Sequence, residues 1–264
     1  MRFISPILFI SALLIGGLSG ISPASATTTP ASGTLIRSTS YPAVYFMGAD
    51  GFRYVFPNEA TYFTWYENFN TVQWITDAEL AAIQIGGNVT YKPGERMLKI
   101  QSDPKTYAVS QNGTLRWVTS ESVATSLYGA SWNSKIDDLP DSFFANYTIG
   151  EPIMSSGDYD VNDEQGSVTT INEDKNLSAA QTVSSSSDYS DGYSPSSLTI
   201  DAGEVVRFVN DDDVNHTATA TDGSWGSGTL EPGETFLRRF DEPGTYAYFC
   251  SYHPDDMQGV IIVE

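Results

Sequence analysis

The stretch YFCSYHPDDMQGVIIVE, residues 248–264, contains the only cysteine of this 264-residue chain. His253 follows Cys250 after two intervening residues, and Met257 follows His253 after three. A single cysteine is most often a small buried apolar residue, and a single histidine is most often an ordinary polar side chain. The one other histidine, His216, lies in the same C-terminal part. The clustering of every cysteine and histidine therefore favours a shared site over separate structural roles.

Residues 194–264 have the pattern of a small antiparallel β domain. Short runs of alternating apolar residues are separated by Ala-Gly and Pro-Gly turns, as in SLTIDAGEVVRFVN and TLEPGETFLRRF. Such spacing is typical of a β-sandwich or barrel. His216 directly follows the second predicted strand, and Cys250 ends the last strand but one. In a sandwich the ends of two such strands can lie side by side, which would bring both histidines, the thiol and the thioether together.

The residue types at this place indicate a metal. Two imidazole nitrogens, one thiolate and a weakly bound thioether form the ligand set of a blue-copper electron-transfer site. Zinc more often takes several cysteines, or histidine and carboxylate with one open position. A cysteine–histidine pair can also form a nucleophilic site, but that site needs an oriented base, and no further histidine is present. We therefore predict one copper ion at His216, Cys250, His253 and Met257, and no enzymatic activity.

The segments YSPSSLTIDAGEVVRFVNDDDVNHT and EPGTYAYFCSYHPDDMQGVIIV resemble the cupredoxin family, particularly its plastocyanin, amicyanin and halocyanin group. The resemblance spans residues 194–264 and implies a Greek-key β-sandwich with one type 1 copper ion. It implies that His216 and His253 are equatorial nitrogen ligands, Cys250 the equatorial thiolate and Met257 the axial ligand. The spacing from His253 to Met257 lies between those of amicyanin-like and plastocyanin-like loops. Thr217 stands where many members have asparagine.

Residues 27–153 are rich in aromatic side chains and contain a diverged internal repeat. AVYFMGADGFRYVF (43–56) matches KTYAVSQNGTLRWV (105–118), and a candidate helix follows each copy. We therefore predict an α+β domain of two hairpin–helix units. Thr76 and Glu79 are spaced for a capping box at a helix start. The pattern resembles repeat modules of bacterial cell-surface proteins, and its aromatic residues form either a core or a glycan-stacking surface.

Two segments lack such patterning. Residues 1–26 combine a basic start, an apolar run and a small-residue cleavage pattern, which predicts a secretory signal; the alternative is an uncleaved membrane anchor. Residues 154–193 are acidic with almost no aliphatic pattern, which predicts a disordered linker. The expected protein is mainly β and exported to the periplasm, the cell surface or the medium, with no transmembrane anchor after signal cleavage.

The net charge of −20 argues against nucleic acid and anionic membranes as partners. Asp211, Asp212 and Asp213 precede His216, and this run either steers a basic redox partner or is a solvated surface. The sequence predicts a protein that shuttles single electrons between redox partners through Cu(I) and Cu(II), with the N-terminal domain docked to the cell envelope or a glycan. The alternatives are a cell-surface copper-binding or buffering protein and a structural surface protein stabilised by copper.

Overall fold

The computed structural model describes residues 29–185 and 192–264. The predicted signal peptide, residues 1–26, lies outside the described residues. Within those two ranges, no helix combines the length and the apolar character needed to cross a membrane. Strands predominate over helices, which confirms the predicted mainly β class.

Residues 29–153, here called the N-terminal module, begin with a five-stranded sheet. Its elements are β1 (Leu35–Ser38), β2 (Tyr45–Met47), β3 (Arg53–Val55), α1 (Glu59–Trp65), β4 (Gln73–Ile75), α2 (Asp77–Ala82) and β5 (Ile85–Asn88). The strand order is β4-β1-β2-β3-β5, antiparallel in the middle and parallel at both edges. Asn58 caps α1 by accepting a hydrogen bond from the Thr61 amide, and the predicted capping box of Thr76 and Glu79 is present at α2.

The second half of the N-terminal module has the same connections. Its elements are β6 (Met97–Lys99), β7 (Thr106–Ser110), β8 (Thr114–Trp117), α3 (Glu121–Tyr128), a 3₁₀ helix (Trp132–Lys135), β9 (Ile136–Asp138), α4 (Asp141–Phe144) and β10 (Thr148–Ile149). The strand order is β10-β8-β7-β6-β9, again with parallel pairs at both edges. When the elements are taken in chain order, the two sheets share one topology.

The prediction that residues 154–193 form a disordered linker is wrong for the described part of that segment. It contains α5 (Val161–Ser167), α6 (Ile171–Asp174) and β11 (Gln181–Ser185). Asp160 caps α5, and Thr170 forms a capping box with Glu173. The polar side chains that suggested a linker therefore accept hydrogen bonds from backbone amides in the first turn of each helix. Ile171 is buried in the apolar cluster of the first sheet, which anchors the segment.

The C-terminal part forms two four-stranded sheets. Its further strands are β12 (Tyr193–Ser194), β13 (Ser197–Ile200), β14 (Val205–Asn210), β15 (Thr219–Ala220), β16 (Thr235–Arg239), β17 (Gly244–Phe249) and β18 (Gln258–Val263). The strand orders are β12-β11-β14-β16 and β13-β18-β17-β15. Val206 and Phe208 of one sheet meet Tyr248 of the other in a single buried cluster, which confirms the predicted β-sandwich. Because β11 belongs to it, the sandwich begins at Gln181 and not at residue 194, the predicted boundary.

The N-terminal module packs against the outer face of the first sandwich sheet. Val205 of β14 and Leu237 of β16 are buried in the apolar cluster of the module, not in the sandwich core. The Gln84 side chain donates to the Leu237 carbonyl (3.0 Å) and accepts from the Leu237 amide (2.7 Å). These two bonds pair the outer edge of β16, which would otherwise be open. Residues 154–180 of the acidic segment therefore connect two docked parts and do not act as a flexible tether.

Asp174, at the end of α6, is a buried carboxylate between the two halves of the module. It accepts hydrogen bonds from the Asn112 amide (3.1 Å) and the Thr90 hydroxyl (3.2 Å). Burial raises the pKa of Asp174 from 3.8 to about 6, although Lys175 and these hydrogen bonds oppose the rise. The folded protein therefore binds this proton more tightly than the unfolded chain does. As the pH rises from about 4 to about 6, the corresponding stability is lost.

We expect the Asp174→Asn variant to lose this part of the pH dependence of unfolding, because asparagine keeps an acceptor oxygen and cannot ionise. At pH 7 the variant should be more stable than the wild type by up to about 3 kcal/mol, the equivalent of about two pKa units. Urea unfolding at several pH values between 4 and 7 measures both effects. Asp163→Asn, at an exposed position of α5, is the matched control. An Asp174→Asn protein with the pH profile of the wild type would contradict the prediction.

Candidate metal centre

Three of the predicted ligands converge at one end of the sandwich. His216 lies beyond β14, where its backbone pairs with that of Leu230 (3.1 and 2.8 Å). Cys250 directly follows β17, and the His253 amide donates to its carbonyl (3.1 Å). Met257 closes the loop by donating to the His253 carbonyl (2.9 Å) and accepting from the Cys250 amide (3.0 Å). Backbone hydrogen bonds therefore fix both ligand-bearing segments.

The donor atoms have the spacing of ligands that share one metal ion. Cys250 Sγ lies 3.6 Å from His216 Nδ1 and 3.7 Å from His253 Nδ1. One donor atom from each of the three residues lies within 4.8 Å of the others. With metal–sulfur and metal–nitrogen bonds of about 2.3 and 2.0 Å in tetrahedral geometry, the sulfur and nitrogen stand about 3.5 Å apart. The residues present therefore fit a shared metal ion.

The site is closed on the side of the core and open towards the surface. Cys250 and Met257 are fully buried, and His216 is 1% exposed. His253 is half-buried, and the neighbouring Tyr252 is 51% exposed. His253 is thus the ligand candidate nearest to solvent.

Comparison with known proteins identifies the domain that holds this site. A family model described as a cupredoxin-like domain matches residues 166–263. A plastocyanin from Scenedesmus fuscus is 38% identical over 84 residues, covering 27% of this chain and 86% of that protein. The chain belongs to the cupredoxin family. The match begins inside the segment predicted as a linker, in agreement with the place of β11 in the sandwich.

Two further cupredoxins are similar to the same portion of the chain. An amicyanin from Paracoccus versutus is 34% identical over 77 residues; the alignment covers 27% of this chain and 58% of the amicyanin. Among solved structures, a purple cupredoxin from Nitrosopumilus maritimus is 30% identical, with 99% of its chain and 32% of this one covered and a TM-score of 0.30.

Cupredoxins bind one copper ion, and the donors of this cupredoxin domain suit that metal. Imidazole and thiolate together serve both oxidation states of copper. The group of His216, Cys250 and His253 is the candidate copper site. Met257 lies in the same buried apolar cluster as Cys250. The equatorial roles of the first three residues and the axial role of Met257 stay predictions.

Asp212 is a residue of the site whose role the sequence did not reveal. Its Oδ2 lies 3.1 Å from His216 Nε2, and both side chains are buried. Because Nδ1 faces the sulfur, Nε2 is the nitrogen that donates to the carboxylate, which orients the ring and raises its basicity as a ligand. Burial alone would raise the pKa of Asp212, but the hydrogen bonds from His216 and Asp213 hold this pKa below its ordinary value.

The three aspartates before His216 therefore differ in their exposure and in their role. Asp211 and Asp213 are exposed, which agrees with either steering of a basic partner or a solvated surface. Asp212 is only 6% exposed and belongs to the site. Its place four residues before His216 could have indicated the contact.

Thr217 connects the two segments that hold the ligands in this cupredoxin. The Ser251 amide donates to the Thr217 hydroxyl oxygen (2.8 Å), which joins the residue after His216 to the residue after Cys250. Threonine thus provides a side-chain link at the position where many family members have asparagine. The Tyr193 hydroxyl donates to the Thr217 carbonyl, and burial, followed by the nearby Cys250, raises the pKa of Tyr193. The link limits independent movement of the two segments.

Proposed function

We propose that this cupredoxin is an exported carrier that passes single electrons between redox partner proteins. The observation that supports this most directly is the buried group of two imidazoles and one thiol within 4.8 Å. Copper bound there supplies reversible exchange of one electron between Cu(I) and Cu(II). The residues of the chain hold the donors in place, exclude water and provide one route to the surface.

The donors are held from two sides. Backbone hydrogen bonds close the loop from Cys250 to Met257, and the bond from Ser251 to Thr217 ties this loop to His216. A site that is already organised for its ligand geometry needs little movement when its charge changes. Fast electron exchange is therefore expected of this arrangement.

The surface around His253 indicates where a partner would dock. Tyr252, next to His253, is an exposed apolar residue, as is Val214 two residues before His216, and Asp255 and Asp256 are exposed acidic residues. A partner that presents an apolar centre surrounded by basic residues would complement this surface, and its positive charge would be attracted to the acidic protein. We therefore propose His253 as the point of electron entry and exit.

The remaining parts of the proposal rest on the sequence. Export rests on the signal predicted at residues 1–26, and docking to the cell envelope or a glycan is assigned to the domain predicted at 27–153. We propose a carrier and not an enzyme because both histidines of the chain lie in the metal group. No imidazole is left to act as a general base.

A visible absorption spectrum of the copper-loaded full chain tests the proposal. We expect an intense thiolate-to-copper charge-transfer band that ascorbate bleaches and a mild oxidant restores. A basic redox protein should bleach or restore the band at a rate that falls with added salt, since the attraction is electrostatic. A colourless protein that holds only Cu(I) would instead favour the copper-buffering alternative.

A further inference from the structure

Each half of the N-terminal module has a groove beside the first turn of a helix. The groove at α1 has a volume of about 580 Å³, and the groove at α3 about 350 Å³. Several residues in the wall of the first groove have a counterpart in the wall of the second, always the same number of positions further along the chain. These pairs are Pro42 and Pro104, Asn58 and Ser120, and Glu59 and Glu121. The two grooves therefore occupy equivalent places in the two halves.

The backbone that frames the grooves is matched as well. The Phe56 amide donates to the Val44 carbonyl (3.0 Å), and the Val118 amide donates to the Thr106 carbonyl (2.9 Å). All four residues line their respective grooves. The same recess has therefore been kept in both halves although most of its side chains differ.

Aromatic side chains form part of each wall. In the first groove Phe69 is 45% exposed and stacks on Tyr62, with ring centres 4.4 Å apart. In the second groove Trp117 is 36% exposed, the Lys105 ammonium lies 5.2 Å from its ring, and Trp132 also lines the wall. Exposed aromatic faces with a few polar groups around them are typical of ligand sites.

Each groove also holds a carboxylate that has no partner within the described residues. Glu59 and Glu121 begin α1 and α3, and both are exposed. Neither side chain forms a hydrogen bond or an ion pair in that part of the chain. A flat aromatic face beside a free carboxylate fits a sugar ring, whose apolar face stacks on the aromatic group while its hydroxyls donate to the carboxylate.

We propose that the two grooves bind separate segments of one neutral polysaccharide. Two equivalent sites suit a polymer whose chemistry repeats, because binding at the second site is then intramolecular. Nucleic acids and acidic glycans also repeat, but the net charge of −20 and a glutamate in each groove oppose them. This inference rests on the glycan docking proposed above for the N-terminal domain; the binding is independent of the copper site and would place the electron carrier on a glycan matrix.

Affinity electrophoresis of the full chain in native gels that contain glucomannan, xylan or soluble starch tests the proposal. At least one polysaccharide should retard the wild type. Phe69→Ala and Trp117→Ala should each weaken the retardation about 10-fold or more, because bivalent binding is lost. The double variant, which keeps neither site, should abolish it. Trp74→Ala is the matched control, since Trp74 is 60% exposed and stacked with Arg37 (4.2 Å) but lines neither groove.

A second variant removes the concern that Phe69→Ala loses its packing on Tyr62. The double change Glu59→Gln and Glu121→Gln leaves all aromatic contacts in place and should still weaken the retardation. The copper absorption of every variant should equal that of the wild type, which separates failure of this proposal from failure of the proposed electron transfer. Absence of retardation in all three gels, or equal retardation of the wild type and both double variants, would overturn the proposal. Binding to a proline-rich peptide without binding to any polysaccharide would also overturn it.

Discussion

Replacement of Cys250 by serine is expected to abolish the intense visible absorption of the copper-loaded protein. The band requires a thiolate bound to copper, and Cys250 provides the only sulfur that can ionise in the chain. Copper affinity should fall by more than about 100-fold, because loss of a residue that only hydrogen-bonds to a metal ligand already lowers metal affinity by about 10–100-fold. His216→Ala should lower the affinity comparably, because its Nδ1 lies 3.6 Å from the sulfur. Absorption spectra and competition with a chelator of known affinity measure the two effects.

Tyr252→Phe is the matched control for these variants. Tyr252 lies between Cys250 and His253, is 51% exposed, and its hydroxyl forms a hydrogen bond with the Thr229 hydroxyl (2.9 Å). This variant should keep both the absorption band and the affinity. A Cys250→Ser protein that retains the band, or a Tyr252→Phe protein that loses it to the same extent, would show that the assigned donors are wrong.

The core of the metal site could be predicted because its determinants are local in the sequence. Cys250, His253 and Met257 lie on one short loop, and turn-separated strands place His216 near the same end of a sandwich. The residue types alone then restrict the choice of metal. The same reasoning identified the β-sandwich, because alternation along β14 and the other strands is a direct consequence of strand geometry.

The features that could not be predicted depend on contacts between distant residues or on individual polar bonds. Gln84 pairs with Leu237 although 153 residues separate them along the chain, and nothing in the local sequence marks that contact. The segment 154–193 has the composition of a disordered chain, but the side chains of Asp160 and Thr170 cap helices by accepting hydrogen bonds from backbone amides. Average composition does not distinguish a capping side chain from a solvated one.

Docking of the N-terminal module on the cupredoxin domain is expected to depend strongly on Arg239. Its guanidinium donates to the Asp50 carboxylate (2.5 Å) and to the Tyr54 hydroxyl (2.6 Å), and Tyr54 in turn donates to Asp50 (2.5 Å). Asp50 is 1% exposed, so removal of the arginine leaves a buried carboxylate without its ion-pair partner. We expect Arg239→Ala to lower the free energy of unfolding by about 3 kcal/mol. Urea unfolding followed by tryptophan fluorescence measures this loss.

A double-mutant cycle shows whether the loss arises at the contact between the two parts of the protein. In an Asp50→Asn background residue 50 carries no charge that needs the guanidinium, so Arg239→Ala should cost about 1 kcal/mol or less. A coupling of about 2 kcal/mol between residues of the module and the cupredoxin domain requires that the two are docked in solution. If Arg239→Ala cost the same in both backgrounds, the contact would be absent in solution and the domains would move independently. The copper absorption should be unchanged throughout, because Val205 and Arg239 pair at the end of β14 that lies away from the segment leading to His216.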